Sequence, residues 1–307
     1  MPNILVLYYS QTGQLRHILD NILVDIKDKA SIDFVAIEPV EPYPLPWKPY
    51  HFFDTMPETV QHTPIALKPL PDEVKQKHYD LVLFGYQSWF LNPSLPISSF
   101  LQSKDAEILK GKNILTVIGC RNMWLHGQES VKHYFSNIGT KLVGNIVLTD
   151  THPNLVSVLT IIRWMFNGKK EASGILPEAG VPEHETKRAS RFGVPILRHL
   201  TENKLGGLQQ ELLMMGAIHL KPGLIVLEKR GIKNFRKWSK YIREKGGPGA
   251  PERRGRVKLF QRLLTVAIFI LSPISSFTAF IQELLQRSKL LKDVEYFKSL
   301  NYEKGKL

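Results

Sequence analysis

Hydrophobic positions in the first half of the chain gather into five short runs: Ile4–Tyr9, Ile32–Ile37, Leu81–Gly85, Ile114–Ile118 and Ile146–Leu148. Each is too short for a free-standing helix and is rich in β-branched or aromatic residues, so each predicts a buried strand. Amphipathic or loop stretches separate them at the spacing of an α/β, doubly wound five-stranded parallel sheet. Beyond Asp150 the pattern changes. Leu155–Phe166 is almost wholly apolar and predicts a helix too short to span a bilayer. A turn-rich stretch, Gly168–Pro182, leads to a polar helix from about Glu183, followed by Leu205–Leu227. No internal repeat is visible.

The first apolar run breaks directly into Ser10-Gln11-Thr12-Gly13-Gln14-Leu15-Arg16-His17. Ser10 and Thr12 bring hydroxyls, Gly13 allows a tight turn, and backbone N–H groups at a helix start converge on an anion, which suits a phosphate monoester. The bland reading is a capped turn with no ligand. In an open parallel sheet the ligand lies beyond the carboxyl ends of the strands where strand order reverses, so the loops after strands one, three and four should converge. The third-strand loop carries Gln87, Ser88, Trp89 and Phe90; the fourth carries Gly119, Cys120, Arg121, Asn122, Trp124, His126 and Gly127. Aromatics there suit stacking on a flat heterocycle, unless Trp89 and Trp124 simply cap the core.

These three loops resemble the flavin-contacting loops of the flavodoxin-like family, which binds FMN. The likeness covers roughly residues 1–150 and implies that Ser10, Gln11, Thr12, Gly13, Gln14 and Leu15 form the phosphate loop. It also implies that Gln87–Phe90 and Gly119–Gly127, with Trp89 and Trp124, flank the ring. Leu15 departs from the pattern, since many members place a hydroxyl residue there. The opening phrase, total length and basic, hydrophobic C-terminal extension are similar to the bacterial dialkylresorcinol condensing enzyme (aromatase) group. That likeness implies oxidation of a 2,5-dialkylcyclohexane-1,3-dione to a resorcinol, with FMN taking the hydride. Such chemistry also needs a base near neutral pH. His126 and His152 are the candidates, with Arg121 stabilising a developing enolate. An NAD(P)H:quinone reductase is the rival enzymatic reading; an electron carrier or flavin-free membrane adaptor is the non-enzymatic one.

Composition sets the surroundings. The 307 residues, 43% hydrophobic, can build a sizeable core. Cys120 is the only cysteine, which points to a reducing compartment, and alone it is more often a passive small residue than a nucleophile. No Cys/His spacing predicts a metal site, and neither GxGxxG nor a Walker loop occurs. With the first strand starting at once, no signal peptide is expected.

Residues 39–71 form a proline-rich insertion with Tyr43, Trp47, Tyr50, Phe52 and Phe53. Its prolines predict neither helix nor interior strand, and its aromatic density predicts a lid over the ligand edge. Residues 151–245 read as a helical extension, and 246–307 as a flexible hinge followed by an apolar helical segment. The formal net charge is +13. Thirteen Lys or Arg lie between Lys229 and Arg262 against Glu244 and Glu252, immediately before Leu263–Ile281, nineteen residues without a charge. That juxtaposition favours an anionic membrane surface over nucleic acid. Pro273 should kink the segment so that it dips into one leaflet. The other reading is a buried helix pair, at the interface of a homodimer. The expectation is a cytoplasmic protein, peripheral or monotopic on the inner face of the membrane, acting on a lipophilic small molecule.

Overall fold

The computed structural model describes residues 1–307, except the side chains of residues 272 and 273. Five parallel strands, β1 (Asn3–Tyr8), β2 (Ser31–Ala36), β3 (Leu81–Tyr86), β4 (Asn113–Cys120) and β5 (Lys141–Thr149), lie side by side in the order β2-β1-β3-β4-β5. This is the flavodoxin-like doubly wound order, with its reversal between β1 and β3. β1 from Ile4 onward and β3 are continuous runs without a charged or amide side chain because both faces of the sheet are covered. β5 begins five residues before its apolar run. Its first half is hidden in sequence by Lys141 and Asn145 and by a register irregularity near Leu115, where Gly144 admits the Leu115 and Leu212 side chains to 3.1 Å from its Cβ position.

Gly13, at φ 80°, turns the chain from the β1 loop into the helix Gln14–Leu23. That helix buries Leu15, Ile18, Leu19, Ile22 and Leu23 against the sheet. A Cβ on Gly85 would lie 2.9 Å from Leu19 Cδ1, so glycine at the end of β3 lets the helix sit tightly on the sheet.

The insertion departs from expectation, for it contains the helices Pro49–Asp54 and Met56–Gln61. Its prolines start helices rather than prevent them: Pro49 and Pro57 occupy first-turn positions, where the missing N–H has no intrahelical acceptor to lose.

The apolar stretch after Asp150 forms the helix Asn154–Asn167, and the polar helix runs over Glu183–Arg188. Leu205–Leu227 is not continuous: a helix ends at Met214, Gly216 adopts φ 78°, and a new helix, Pro222–Arg243, carries much of the basic run. One hydrophobic core reaches from Ile4 to Phe297 and includes Ile225, Val226 and Leu290, so the C-terminal helices pack on the sheet domain itself.

The glycine-rich turn at 246–251 is pinned rather than loose. Gly249 N–H donates to Asp54 Oδ2 at 2.8 Å, and fully buried Arg253 donates to Asp54 Oδ1 at 2.7 Å and Glu58 Oε1 at 2.8 Å. Helices Arg254–Val266, Ser272–Leu285 and Arg287–Lys298 follow, the first two joined by a π-helical turn, Ala267–Leu271. Among the described residues no single helix is long and apolar enough to cross a membrane; Pro251–Leu271 and Ile274–Leu285 form a pair bent by 61°. The kink assigned to Pro273 falls outside the described residues.

Candidate functional site

At the carboxyl edge of the sheet a cleft opens between the loops after β1, β3 and β4. Its walls are Gln11, Thr12 and Gln14 from the first loop, Gln87–Phe90 from the second, and Gly119–Arg121 from the third. Leu45, Trp47 and Phe52 of the insertion close one side. The fourth side was not legible in the loop motifs: Ile161, Trp164 and Met165 come from the helix Asn154–Asn167, with Gly180 from the turn beyond it. Their sequence signal is spacing, because positions i, i+3 and i+4 share one helix face.

The β1 loop is organised around its glutamines. Gln11 Nε2 donates to the carbonyls of Tyr43 at 3.1 Å and Pro44 at 3.0 Å, which ties the insertion down, and its Oε1 accepts from the Tyr9 hydroxyl. Gln14 is held at both ends of its amide by the Val181 backbone, at 2.8 and 3.0 Å. Both side chains are therefore committed to protein, and their backbone N–H groups make only long bonds, Gln11 to Gln87 Oε1 at 3.3 Å and Gln14 to Thr12 Oγ1 at 3.4 Å, which an anion would have to replace. The Ser10 hydroxyl is buried without a hydrogen-bond partner. No heavy atom lies within 4 Å of a Cβ built on Gly13, so the loop has open room there. Leu15 faces the core, 2% exposed, so its side chain would not replace a hydroxyl at the phosphate.

The ring end of the cleft is aromatic and closed. Trp89 meets Tyr43 edge-on at 5.1 Å, Trp47 at 5.7 Å and Tyr9 at 5.8 Å between centroids, and Tyr43 stacks on Trp47 at 5.2 Å. The space left is about 170 Å3, below the roughly 300–1,000 Å3 of small-molecule sites. Trp47 and Trp89 stand edge to face across this end and narrow the room for a flat ring. Burial raises the Tyr9 phenol well above its usual range and pushes Tyr43 up to about 12, so both stay protonated at neutral pH. The loop itself is strained. Phe90 and Leu91 take φ of 47° and 66° in a two-residue hairpin that ordinarily demands Asn-Gly. Asn92 Nδ2 donating to the Phe90 carbonyl at 2.8 Å, and His62 on Asn92 Oδ1 at 3.0 Å, hold it there.

Arg121 and Cys120 line the cleft as expected. Arg121 donates to Asn154 Oδ1 at 2.7 Å; burial draws its pKa down, and the nearby Asp150 carboxylate only partly offsets that. Burial raises the Cys120 thiol, which makes it a poor nucleophile. Of the two histidines, His152 is not part of the cleft lining but is tied to the β4 loop through Asp150: its Nδ1 is 2.7 Å from Asp150 Oδ1, with Ser157 donating to Asp150 Oδ2 at 2.6 Å. Asp150 N–H in turn reaches the Arg121 carbonyl at 2.9 Å.

His126 is elsewhere, which corrects its assignment as a base in the cleft. It starts the helix Leu125–Ile138 facing away, in a second cavity with His62, Tyr134 and Arg236. Its Nε2 accepts from Arg236 Nη2 at 2.9 Å, and burial plus that cation lower its pKa to about 4. Trp124 is likewise turned into the core, 1% exposed, and Asn122 and Gly127 lie outside the cleft lining. Gly127 instead packs against Ser88, whose Oγ would be 3.1 Å from its Cβ position.

Sequence reasoning missed Glu228. From the helix Pro222–Arg243 its buried Oε1 accepts the His126 N–H at 2.8 Å, with Leu125 and Trp124 N–H groups nearby, so it caps the helix that leaves the β4 loop. Burial raises its pKa to about 7. Nothing local distinguishes this glutamate from its polar neighbours. Among the described residues no group of three His, Cys, Asp or Glu could hold a metal ion.

No protein-family model matches the chain, and no curated protein does. Among solved structures it is similar to a flavoprotein from Bacteroides uniformis, with 16% identity, 53% of this chain and 97% of that one covered, and a TM-score of 0.37. It is also similar to the Fusobacterium nucleatum flavodoxin bound to flavin mononucleotide, with 12% identity, 65% and 99% covered, and a TM-score of 0.36. A flavone reductase matches at 12% identity over 71% of this chain and 66% of its own, with a TM-score of 0.36. The strand order, rather than these likenesses, carries the fold assignment.

Proposed function

We propose that this chain is an FMN-dependent oxidoreductase that aromatises a lipophilic 2,5-dialkylcyclohexane-1,3-dione to a dialkylresorcinol. The observation that carries the flavin reading is the β1 loop: a buried hydroxyl without a partner at Ser10 and an open left-handed Gly13, at the start of a helix and at the switch point of the sheet. The donor set suits a phosphate monoester: Ser10 and Thr12 hydroxyls with backbone N–H groups. The apolar wall of Leu45, Phe52, Phe90, Ile161 and Met165 suits an alkylated ring. The dione itself rests on the sequence resemblance.

Aromatisation removes a hydride from one ring carbon and a proton from its neighbour. Bound FMN supplies the hydride acceptor. Arg121, at the cleft wall, donates to the dione oxygen as enolate charge develops. His152, oriented by Asp150, takes the proton. The aromatic cluster around Trp89 excludes water from the ring end.

The test is the visible spectrum of purified protein with FMN, followed by anaerobic addition of a dialkylcyclohexanedione. Flavin bleaching with stoichiometric resorcinol is the expected result. Flavin that ignores the dione but bleaches with NADPH assigns a quinone reductase instead, and absence of flavin binding leaves an adaptor.

A further inference from the structure

Two of the C-terminal helices are apolar on both sides, and only one side of each is covered. On Arg254–Val266, Val257 and Phe260 are buried among Met56, Phe235 and Trp238. On Ser272–Leu285 the inner side is tied to the basic helix: Ala279 is buried, and Arg230 donates to Thr278 Oγ1 and Gln282 Oε1, both at 2.9 Å. The outer sides carry apolar stripes at helical spacing. Leu259, Leu263, Val266 and Ile270 form one, and Ile274, Phe277, Ile281 and Leu284 the other. Ile270 is 63% exposed and Phe277 65%. A bare stripe of this size, continuous across two helices, is costly in water and marks an interaction surface.

Charge identifies what covers it. Arg254, Lys258 and Arg262 are exposed and recur every four residues, in a row one position from the first stripe, while Arg287 and Lys289 are exposed beyond the second. A second copy of the chain would bring the same cations against these cations. A lipid leaflet with anionic headgroups accepts both features at once: apolar side chains among acyl chains and cations among phosphates.

We infer that the bent pair inserts its outer stripes into one leaflet of an anionic bilayer without crossing it. The geometry sets the depth. A bend of 61° leaves 119° (180 − 61) between the arms. Residues 263–271 make an arm of about 13 Å at ~1.5 Å per residue, so a symmetric placement carries the apex only about 7 Å below the interface. That lies within the ~5–10 Å of interfacial helices and far short of a ~30 Å hydrocarbon core. This inference stands apart from the oxidoreductase reading, since it needs neither flavin nor substrate.

Flotation of the full chain with preformed vesicles tests it. The protein should float with phosphatidylglycerol-containing vesicles, far less with phosphatidylcholine alone, and less as salt rises. Ile270→Asp with Phe277→Asp should reduce flotation about tenfold or more. Lys258→Glu with Arg262→Glu should abolish the preference for anionic lipid. All four side chains are exposed, so unchanged circular dichroism and melting temperature confirm that the fold is intact. A dye on Phe277→Cys, with the parent chain carrying only Cys120 labelled in parallel as the control, should be quenched more by shallow than by deep brominated lipids. Undiminished flotation of the aspartate pair, deeper quenching dominating, or a wild-type chain that sediments as a dimer and ignores vesicles overturns the proposal.

Discussion

Ser10, two residues beyond β1, carries a hydroxyl that the protein itself leaves without a partner. Ser10→Ala therefore removes no hydrogen bond from the ligand-free fold and should leave the melting temperature unchanged or slightly raised. FMN affinity, read by quenching of flavin fluorescence, should fall about tenfold, the loss of roughly one charge-assisted hydrogen bond. An equal loss of stability with unchanged affinity would make the serine structural. Glu228 and His126 are adjacent buried groups with opposite pH behaviour. Glu228 titrates near 7 when folded against 4.5 ordinarily, so between those values the unfolded chain ionises first and stability falls as pH rises, by about 3 kcal/mol in all. His126 titrates near 4 when folded against 6.5, so over that window the unfolded chain binds the proton first and stability falls as pH drops. The two slopes offset each other between about pH 4.5 and 6.5. Glu228→Gln should expose the histidine's contribution: stability climbs from pH 4 to 6.5 and no longer declines toward 7. Urea titrations across that range decide it, and identical profiles for variant and parent would refute the assignment.

At the scale of elements, the insertion is latched by charge as well as by aromatic packing. Arg253 is fully buried between Asp54 and Glu58, which lie on separate helices of the insertion. Removing the cation leaves two buried carboxylates, so Arg253→Met should cost about 3–5 kcal/mol in chemical denaturation. Adding Asp54→Asn and Glu58→Gln should recover part of that loss; a triple variant no better than the single one would show that packing by the arginine stem matters more. The expectation of a helix-free insertion failed because a proline count ignores position. Pro49 and Pro57 stand in first turns, where they cost little. β5 was legible only in its second half, since Lys141 and Asn145 belong to a strand end and to a buried hydrogen-bonded position: Thr116 donates to Asn145 Oδ1 at 2.9 Å.

For the whole molecule, the shared core predicts joint unfolding. Lys132, buried in the helix Leu125–Ile138, donates to the carbonyls of Ser299 and Asn301 at 3.1 and 2.9 Å, and Gln209 links the Asn145 N–H to the Lys298 carbonyl. The far end of the chain is thereby stitched to β5 and its neighbouring helix. Far-UV circular dichroism and tryptophan fluorescence should report coincident denaturation transitions. Separate transitions would mean that the C-terminal helices fold as an independent unit. The apolar bent pair lies outside this core on its exposed side, which is why its substitution leaves the fold intact.

The sequence by itself determined the five strands, their parallel doubly wound arrangement and the anion-suited loop after β1, because apolar run length and turn chemistry are local properties. It also marked the bare apolar segment, since nineteen uncharged residues beside a basic run need no partner to be noticed. Only the tertiary structure decided which of the loop residues face the cleft. His126 and Trp124 share a loop with Arg121, yet the turn into the next helix points them away. Only it raised Glu228 and lowered His126, because desolvation depends on what the rest of the chain stacks around a group more than a hundred residues away. The physical reason is the same in each case: burial and adjacency are set by contacts between distant segments, and no local pattern encodes which segments meet.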